Sequence, residues 1–578
     1  MSFSSSQKSL VPALVGIGII GLYYAFGLAR CYGFAVDVGF PTYVVAGRAE
    51  CLFMFCYVVC AAYASAFISL SLVLRDASDR FWSEATTILT HKYFPAAAAI
   101  FGFVGMVLVR FFLFERFPLT DDENVYVFVA KTLLAGRLSN PAPEFYELFK
   151  YPLMIVTQHQ WMGEYTIGHP LFLALGLLTG LKDFIVPAAS AGTLLLIYFI
   201  AKDQFGRKVA VIALLLAVLS PQFILTGGTL LGYPTAGFCS AVMIFSVLRL
   251  HRRSNPYWIL IFLCASSLLI LNRPQSWLCL GVPLGLFSLV SAIKEKERAL
   301  WRAVGIQLAV AVASSGVFLL ANYWHTGDPF KTAQYLFLEH SKYGKSIGFY
   351  VRSIAGIHTP LKGVANLLLS LLRQNVWLFG WPFSFVFILF VPAGRFVRFL
   401  LGWGLAYWAF YTSFFSPGIN IPGPVYYYEM ILPAAILSAC GIVRLHKFLE
   451  CRFADLGRKI VPGVILASYI VSCLMFLPVV LTSLREITLA SSTVYRALDE
   501  HRVHDAVIFV DDIVPNLNSS WVFAPYVSGP DTEREDRIFV RWPKSPKVMK
   551  EFLGKYPNRQ VWGVRPEENK RLAIWRMK

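Results

Sequence analysis

The chain has 578 residues, of which 57% are hydrophobic and only 15% are charged. A soluble globular protein carries about 25% charged residues, so this composition excludes an ordinary soluble domain. The net charge of +18 reflects membrane topology better than a nucleic-acid partner, because Lys and Arg concentrate in short links between apolar runs. The sequence therefore predicts a polytopic membrane protein that does not bind nucleic acid.

Apolar runs of about 18 to 25 residues recur along the chain, and each is long enough to cross about 30 Å of hydrocarbon. They predict thirteen membrane spans, near residues 9–29, 51–74, 95–114, 184–202, 208–226, 234–250, 257–272, 275–292, 301–321, 376–393, 396–415, 427–446 and 459–482. With this count the basic links all fall on one side, which the positive-inside rule assigns to the cytoplasm. We therefore expect a cytoplasmic N-terminus and a C-terminus on the periplasmic or extracellular face.

The predicted spans divide the chain into three regions. Residues 1–94 hold two N-terminal spans and a cytoplasmic link, and residues 95–483 form the main transmembrane domain, with outer loops at 115–168 and 323–375. Residues 484–578 are expected to form a small soluble α/β domain on the outer face. The predicted fold class is an all-α polytopic membrane protein with this small domain outside the membrane.

Short apolar runs predict the elements of the C-terminal region. Runs at 507–510, 538–540 and 560–564 are typical of short buried strands. Residues 545–556 predict an amphipathic helix with Ser545 as its cap. The glycine-rich fingerprint of dinucleotide-binding folds is absent from the sequence, so no nucleotide site is expected.

Three consecutive carboxylates, Asp121, Asp122 and Glu123, follow Thr120 near the start of the 115–168 loop. The pattern Thr-x-x-Glu is typical of a capping box, which explains Glu123 best, and this alternative stays open. A third carboxylate beside an apolar surface loses hydration, and its neighbours raise the pKa of one member of the group. Such a carboxylate suits a general base that accepts a proton near neutral pH.

Residues 120–138 resemble the first outer loop of membrane glycosyltransferases with the GT-C fold. The shared pattern is an acidic pair, then Tyr126, a helix and the ending Ala-Gly-Arg-Leu. The segment 158–170, which contains Tyr165 and His169, resembles a member of that group in which Tyr-x-x-Gly-x-Pro precedes the next span. The chain is most similar to the family that contains protein O-mannosyltransferases and the lipid A aminoarabinose transferase (glycosyltransferase family 39).

This resemblance implies an inverting transfer of a sugar from a polyprenyl-phosphate-linked donor to a lipid, glycan or protein acceptor. The reaction would take place on the outer face of a bacterial inner membrane. Besides the donor and the acceptor, the expected partners are the lipids of that membrane. Asp122 best matches the first-loop aspartate and would act as the base, with Asp121 as the alternative. Glu123, Tyr165 and His169 are expected to bind substrate beside it.

The resemblance also bears on cofactors. Some relatives carry a second acidic residue in the next outer loop, whereas residues 225–236 of this chain contain no carboxylate. A metal held between two loops would need such a ligand, because hard divalent cations take carboxylate oxygens. We therefore expect no cofactor and no metal site, and keep dependence on a divalent metal as the open alternative.

Three further residues are candidates for substrate binding. Arg273 lies where two predicted spans meet at the outer face, and its guanidinium suits a departing phosphate. The alternative is an arginine that extends to the lipid headgroups. Glu429, one turn into a span, needs a partner, either Arg273 or sugar hydroxyls. His358 binds phosphate or sugar, or is an ordinary hydrogen-bonded loop residue.

A transporter or flippase of lipid-linked sugars is the competing hypothesis. Transporters carry ionisable groups near the bilayer midplane and are built from paired repeats with broken helices. In this chain the notable charges lie at predicted span ends and in outer loops, and no internal repeat is evident. These features favour the transferase, and a scaffold with the same fold but no activity is the third possibility.

Overall fold

The computed structural model describes residues 5–25, 45–74, 89, 91–151, 153–340, 347–353, 356–415, 421–511, 529–566 and 572–577. Its helices are α1 (Ser5–Ala25), α2 (Val45–Leu74), α3 (Phe94–Leu108), α4 (Asp121–Leu134), α5 (Gly168–Leu178), α6 (Lys182–Phe205), α7 (Arg207–Val218), α8 (Pro221–Gly227), α9 (Tyr233–Arg252), α10 (Pro256–Asn272), α11 (Pro274–Glu295), α12 (Arg298–Thr326), α13 (Ala333–His340), α14 (Pro360–Trp377), α15 (Arg395–Thr412), α16 (Ile431–Val471), α17 (Leu477–Glu500) and α18 (Pro546–Gly554). Its strands are β1 (Asn140–Pro141), β2 (Met154–Val156), β3 (Gln160–Gly163), β4 (Arg352–Ser353), β5 (Gly356–Ile357), β6 (Ala506–Val510), β7 (Arg537–Arg541), β8 (Gln560–Pro566) and β9 (Leu572–Arg576).

The apolar helices form an integral membrane domain. Within the described residues, 7 helices are long and apolar enough to cross a membrane, or 8 if the bent pair α7 and α8 makes one crossing. The predicted number of thirteen spans is therefore not confirmed. Some predicted spans correspond to helices shorter than a full crossing, such as α10, and others are broken by irregular backbone.

The predicted span at 208–226 is broken. It comprises α7 and α8, whose axes differ by 57°. The break falls where Pro221 begins α8 and Ser220 caps it by accepting a hydrogen bond from the amide of Phe223. Proline is favoured in the first turn of a helix but interrupts a continuous one, so the sequence itself explains the bend.

The prediction of a continuous span at 376–393 was wrong. Helix α14 ends at Trp377, and the chain then turns at Gly380, whose φ of +76° is accessible chiefly to glycine. A short 3₁₀ helix follows at Val386–Phe390. The N-terminal helix pair supports this turn, because the hydroxyl of Tyr57 donates to the carbonyl of Gly380 across 2.8 Å.

The predicted spans at 427–446 and 459–482 fall largely on α16, which has a backbone break at Ala454, where φ is +46°. Helix α17 then continues without interruption past residue 484, where we expected the soluble domain to begin. Its last turns, including Val494 and Leu498, pack against the C-terminal sheet. The helix therefore connects the membrane domain to that sheet.

The C-terminal region contains a four-stranded sheet in the order β7-β6-β8-β9. Strands β7 and β8 both pair with β6 in parallel, whereas β9 pairs with β8 in the antiparallel direction. The three predicted strands and the helix capped by Ser545 are confirmed. Strand β9 was not predicted, because its short run carries no strong periodic signal.

The C-terminal sheet packs directly on the first outer loop. One hydrophobic cluster joins side chains of α4 and of the loop to side chains of the sheet and of α18; it includes Val125, Phe128, Val129, Phe149, Trp161, Val507, Phe509, Val540, Phe552 and Val561. Burial of this apolar surface is the main stabilising contribution at the contact. The helix that begins with the three carboxylates is thus held between the membrane domain and the C-terminal sheet.

Candidate active site

The first outer loop presents three carboxylates in the first turn of α4. Thr120 occupies the N-cap position with extended backbone, but its side chain makes no capping hydrogen bond to a described residue. Asp121, Asp122 and Glu123 are 2%, 6% and 0% exposed, respectively. The reciprocal bonds of a capping box are thus incomplete, and helix capping alone does not account for three buried carboxylates.

The two aspartates have separate tyrosine partners. Tyr165 donates its hydroxyl hydrogen to Oδ1 of Asp122. Tyr151 donates to Oδ1 of Asp121 across 2.9 Å, and Asn124 donates to the Tyr151 hydroxyl across 3.3 Å. Within the described part of the chain, Oδ2 of each aspartate lacks a hydrogen-bond partner. Each carboxylate therefore keeps one oxygen for a further ligand.

Burial is the largest influence on both aspartates and raises the pKa of each. For Asp122 this rise is opposed by the Tyr165 hydroxyl, by nearby polar groups of Asp122 and Thr120 and, as the smallest of these influences, by the positive charge of Arg273. The pKa of Asp121 is raised well above its usual value, since Tyr151 opposes the rise but the charge of Asp122 adds to it. Asp122 is therefore the more easily ionised of the two.

Glu123 belongs to a different charge network, at the end of α3. Arg110 Nη1 lies 3.8 Å from Oε2 of Glu123, and Arg110 Nε donates to Asp183 across 2.9 Å. Arg116 donates to the second oxygen of Asp183, also across 2.9 Å. Burial raises the pKa of Glu123 to about 7, although the charge of Arg110 opposes that rise. These contacts fix α4 to the membrane domain, and the role of Glu123 in binding substrate stays a prediction.

Arg273 lies in the turn between α10 and α11 and is surrounded by polar and aromatic partners. Its Nη2 donates to the Tyr411 hydroxyl across 2.6 Å, and its Nε lies 3.7 Å from Oε1 of Glu429. Ser276 also donates to Glu429, across 2.7 Å. The guanidinium carbon is 4.2 Å from the centre of the Tyr233 ring, which adds a cation–π contact. Arg273 is thus held inside the protein beside Glu429, one of the two partners considered for that carboxylate, and the binding of substrate by either residue stays a prediction.

His169 lies in the first turn of α5, and its ring is buried. Its Nδ1 is 2.9 Å from the hydroxyl of Thr235, and its Nε2 is 2.7 Å from the carbonyl oxygen of Leu230. Tyr126 packs against the ring at 4.7 Å between centroids, edge to face. Because protein groups contact both ring nitrogens, His169 fixes α5 beside the turn before α9. Its predicted contact with substrate is not tested.

Tyr126 packs beside Tyr165, the partner of Asp122, and lies within the electrostatic reach of Arg273. Its ring lies 4.3 Å from that of Tyr165, which contacts Asp122. The electrostatic effect of Arg273 reaches both Asp122 and Tyr126. One ionisable carboxylate, Asp122, and one buried cation, Arg273, therefore lie in a single region lined by aromatic rings. The carboxylate can accept a proton and the cation can bind an anion.

His358 contacts the backbone of the residue that follows Tyr411, the partner of Arg273. Its Nε2 is 3.1 Å from the carbonyl oxygen of Thr412, and its ring stacks on that of Phe349 at 5.6 Å. No contact between the described residues joins His358 to Asp122 or Arg273. These contacts fit the alternative of an ordinary hydrogen-bonded histidine.

The sequence reasoning did not single out three residues of this region. Glu164 is buried, and its burial and the charge of Asp122 raise its pKa well above the usual value. Its position directly before Tyr165, within the 158–170 segment, is the sequence signal that points to it. Tyr151 and Tyr411, the partners of an aspartate and of the guanidinium, have no local pattern that would distinguish them.

Residues that could hold a metal ion do not converge here. Among the described residues, no group of three or more His, Cys, Asp or Glu side chains has a suitable arrangement. The three consecutive carboxylates instead contact three different side chains: Asp121 contacts Tyr151, Asp122 contacts Tyr165, and Glu123 lies near Arg110. Metal independence nevertheless stays a prediction, because no measurement bears on it.

No family model and no curated protein matches this sequence. Among solved structures, the chain is similar to ArnT from Cupriavidus metallidurans in the apo state, with a TM-score of 0.50, 14% identity and coverage of 85% of this chain and 94% of that chain. The same protein bound to undecaprenyl phosphate gives a TM-score of 0.49, 14% identity and coverage of 82% and 92%. The oligosaccharyltransferase of Archaeoglobus fulgidus, tethered with an acceptor peptide, gives 0.38, 12%, 82% and 69%.

The likeness to apo ArnT establishes the fold and nothing more, because the identity is only 14%. ArnT is the lipid A aminoarabinose transferase, a membrane glycosyltransferase of the GT-C fold. The present chain therefore has the GT-C fold and is an integral membrane protein. The fold class implied by the sequence resemblance is confirmed.

Proposed function

We propose that this protein is an inverting glycosyltransferase that moves a sugar from a polyprenyl-phosphate-linked donor to a lipid, glycan or protein acceptor. One observation carries the proposal: Asp122 is buried, is bonded to Tyr165 and keeps a second oxygen without a partner among the described residues. The positive charge of Arg273 acts on the same carboxylate. The GT-C fold supports the same class of reaction.

In the proposed reaction, Asp122 accepts the proton of the acceptor hydroxyl while the hydroxyl oxygen attacks the anomeric carbon of the sugar. The bond between that carbon and the phosphate oxygen breaks, and the electron pair leaves with the polyprenyl phosphate. Charge develops on the sugar as an oxocarbenium-like transition state and on the departing phosphate. Arg273 stabilises the phosphate, because a buried cation acts strongly where water is excluded.

The same geometry disfavours the transporter hypothesis. Asp122 stands at the start of α4, Arg273 lies between α10 and α11, and Glu429 lies just before α16. Each charge is thus at a helix end, and the sequence shows none of the paired repeats from which transporters are built. We place the reaction on the outer face of a bacterial inner membrane, with the N-terminus in the cytoplasm, because the basic links predict that orientation.

Transfer of radiolabelled sugar from polyprenyl-phosphate donors, measured in membranes, tests the proposal. Asp122→Asn keeps the size of the side chain but removes its basicity, so the rate should fall about 100-fold or more. Glu147→Gln is the matched control: it neutralises an exposed acid of the same loop, which pairs with Lys150, and should leave the rate unchanged. Because the proposal includes no metal, transfer should persist in EDTA.

The other outcomes are equally informative. Equal transfer by wild type and Asp122→Asn would make Asp122 a structural residue and shift the role of base to Asp121. Absence of transfer from every donor in a broad panel, with well-folded protein, would contradict the glycosyltransferase proposal. Loss of transfer in EDTA, restored by a divalent cation, would contradict metal independence.

A further inference from the structure

A second polar region lies far from the carboxylates. A cavity of about 670 Å³ is bounded by the end of α11, the start of α15 and the middle of α16. Four basic side chains line it: Lys294, Arg395, Arg398 and Arg444. The proposed transfer reaction uses none of these residues.

Two helices show that this cavity lies at the opposite membrane face from the candidate active site. Helix α11 begins next to Arg273 and ends at Glu295, and its 22 residues span about 33 Å. Helix α15 runs in the opposite direction. It begins at Arg395 beside the cavity, and its last helical turn contains Tyr411, the hydrogen-bond partner of Arg273. Helix α11 is long and apolar enough to cross a bilayer, and the 18 residues of α15, about 27 Å long, cover most of the same distance.

The charges of the cavity are only partly neutralised. Arg395 pairs with Glu295, and Arg444 donates to the carbonyl oxygen of Val391 across 2.7 Å. Lys294 and Arg398 are exposed and form no ion pair with any residue that the structure describes. Within the described part of the chain, three of the four cations, Lys294, Arg398 and Arg444, therefore lack a carboxylate partner.

The start of α15 adds to the positive potential. Gly394 is its N-cap residue and has no side chain, so no side-chain cap covers the amide groups of the first turn. Such uncapped amides and the helix dipole favour an anion. Apolar residues complete the wall, among them Val391, Pro392 and Leu401. The cavity thus combines an anion-binding end with an apolar side.

We propose that this cavity binds an anionic phospholipid of the membrane leaflet opposite to the active site. The phosphodiester lies between Lys294 and Arg398, near the first turn of α15, and an acyl chain follows Val391 and Leu401. A soluble phosphate would use the cations but leave the apolar wall without a partner, so the combination favours a lipid. The site is independent of the proposed glycosyl transfer.

The test measures lipid binding to the full-length protein in detergent. Dioleoylphosphatidylglycerol is titrated and retained adducts are counted by native mass spectrometry, with dioleoylphosphatidylcholine as the uncharged comparison. The double variant Lys294→Gln/Arg398→Gln should bind the anionic lipid about 30-fold more weakly, since each basic residue near a membrane surface contributes about 1 kcal/mol. Both side chains are exposed, so the fold should survive the change.

A matched control removes the same charge elsewhere on this face. Lys447→Gln/Arg452→Gln changes two exposed basic residues of the α16 segment that do not line the cavity, and it should bind like wild type. Equal weakening by both double variants would reduce the effect to general surface charge and overturn the proposal. Displacement of the lipid by millimolar inorganic phosphate, or equal retention of the uncharged lipid, would also overturn it.

Discussion

Asp121 and Asp122 are chemically identical neighbours that the structure places in different surroundings. Tyr151 donates a hydrogen bond to Asp121, and Tyr165 donates one to Asp122. The positive charge of Arg273 favours the ionised form of Asp122 but is not among the influences on Asp121. A general base must be ionised before it can accept a proton. The choice between the two aspartates therefore depends on residues distant from them in sequence.

Replacing Tyr165 by Phe should displace the acid limb of the pH–rate profile. The Tyr165 hydroxyl lowers the pKa of Asp122, so its removal raises that pKa further above the usual value. Because the base acts in its ionised form, activity should then be lost at a higher pH as the solution is acidified. The measurement is the transfer rate across a pH series for both proteins.

Tyr151→Phe is the matched control for this experiment. Its hydroxyl acts on Asp121, so its removal should leave the acid limb in place if Asp122 is the base. A shift caused by Tyr151→Phe, with none caused by Tyr165→Phe, would assign the role of base to Asp121.

At the scale of elements, the contact between the start of α5 and the end of α10 sets the relative positions of Tyr165 and Arg273. Gly168 begins α5, and a Cβ atom on it would lie only 2.3 Å from the backbone nitrogen of Asn272. Thr166 supports the contact by donating to the carbonyl oxygen of Asn272 across 3.0 Å. Only glycine permits two backbones to approach this closely.

Gly168→Ala should therefore separate the aspartate side of the site from Arg273. Backbone cannot yield as a flexible side chain does, so we expect transfer to fall about tenfold or more while the protein still folds. Gly281→Ala in α11 is the control, because its Cβ would meet no described atom within 4 Å. The measurement is the transfer rate of each variant, normalised to the amount of protein. Equal rates for the two variants would contradict the expected role of this contact.

At the scale of the whole molecule, the C-terminal sheet and α4 support each other. Besides the hydrophobic cluster, Lys131 of α4 pairs with Glu535 across 2.7 Å, and Arg137 after α4 pairs with Asp531 across 2.6 Å. Helix α17 links the sheet to the membrane domain, and two of its arginines, Arg485 and Arg496, contact Glu115 at the start of the loop. The C-terminal sheet is thus in a position to hold the helix that carries the carboxylates.

A charge exchange tests this coupling. Lys131→Glu and Glu535→Lys each place like charges together, and each should slow transfer up to about fivefold, since partly exposed pairs contribute about 1 kcal/mol or less. The double variant Lys131→Glu/Glu535→Lys restores opposite charges and should recover most of the rate. A double variant no faster than the slower single variant would show that this pair does not position α4.

The sequence alone determined the elements whose signals are local. Long apolar runs marked most of the membrane helices, short apolar runs marked three strands of the C-terminal sheet, and the acidic cluster marked the start of α4. The resemblance to GT-C glycosyltransferases rested on the same loop. These signals lie within a few residues of one another, so hydropathy and helix-start patterns reveal them.

Only the tertiary structure decided which side chains meet. Arg273 and Tyr411 are 138 residues apart, and Lys131 and Glu535 are 404 apart, so no local pattern relates the members of either pair. The turn at Gly380 and the docking of the C-terminal sheet on α4 likewise depend on contacts with distant segments. Burial and the pKa values of the carboxylates follow from that packing, because desolvation exists only once the surrounding chain has closed around them.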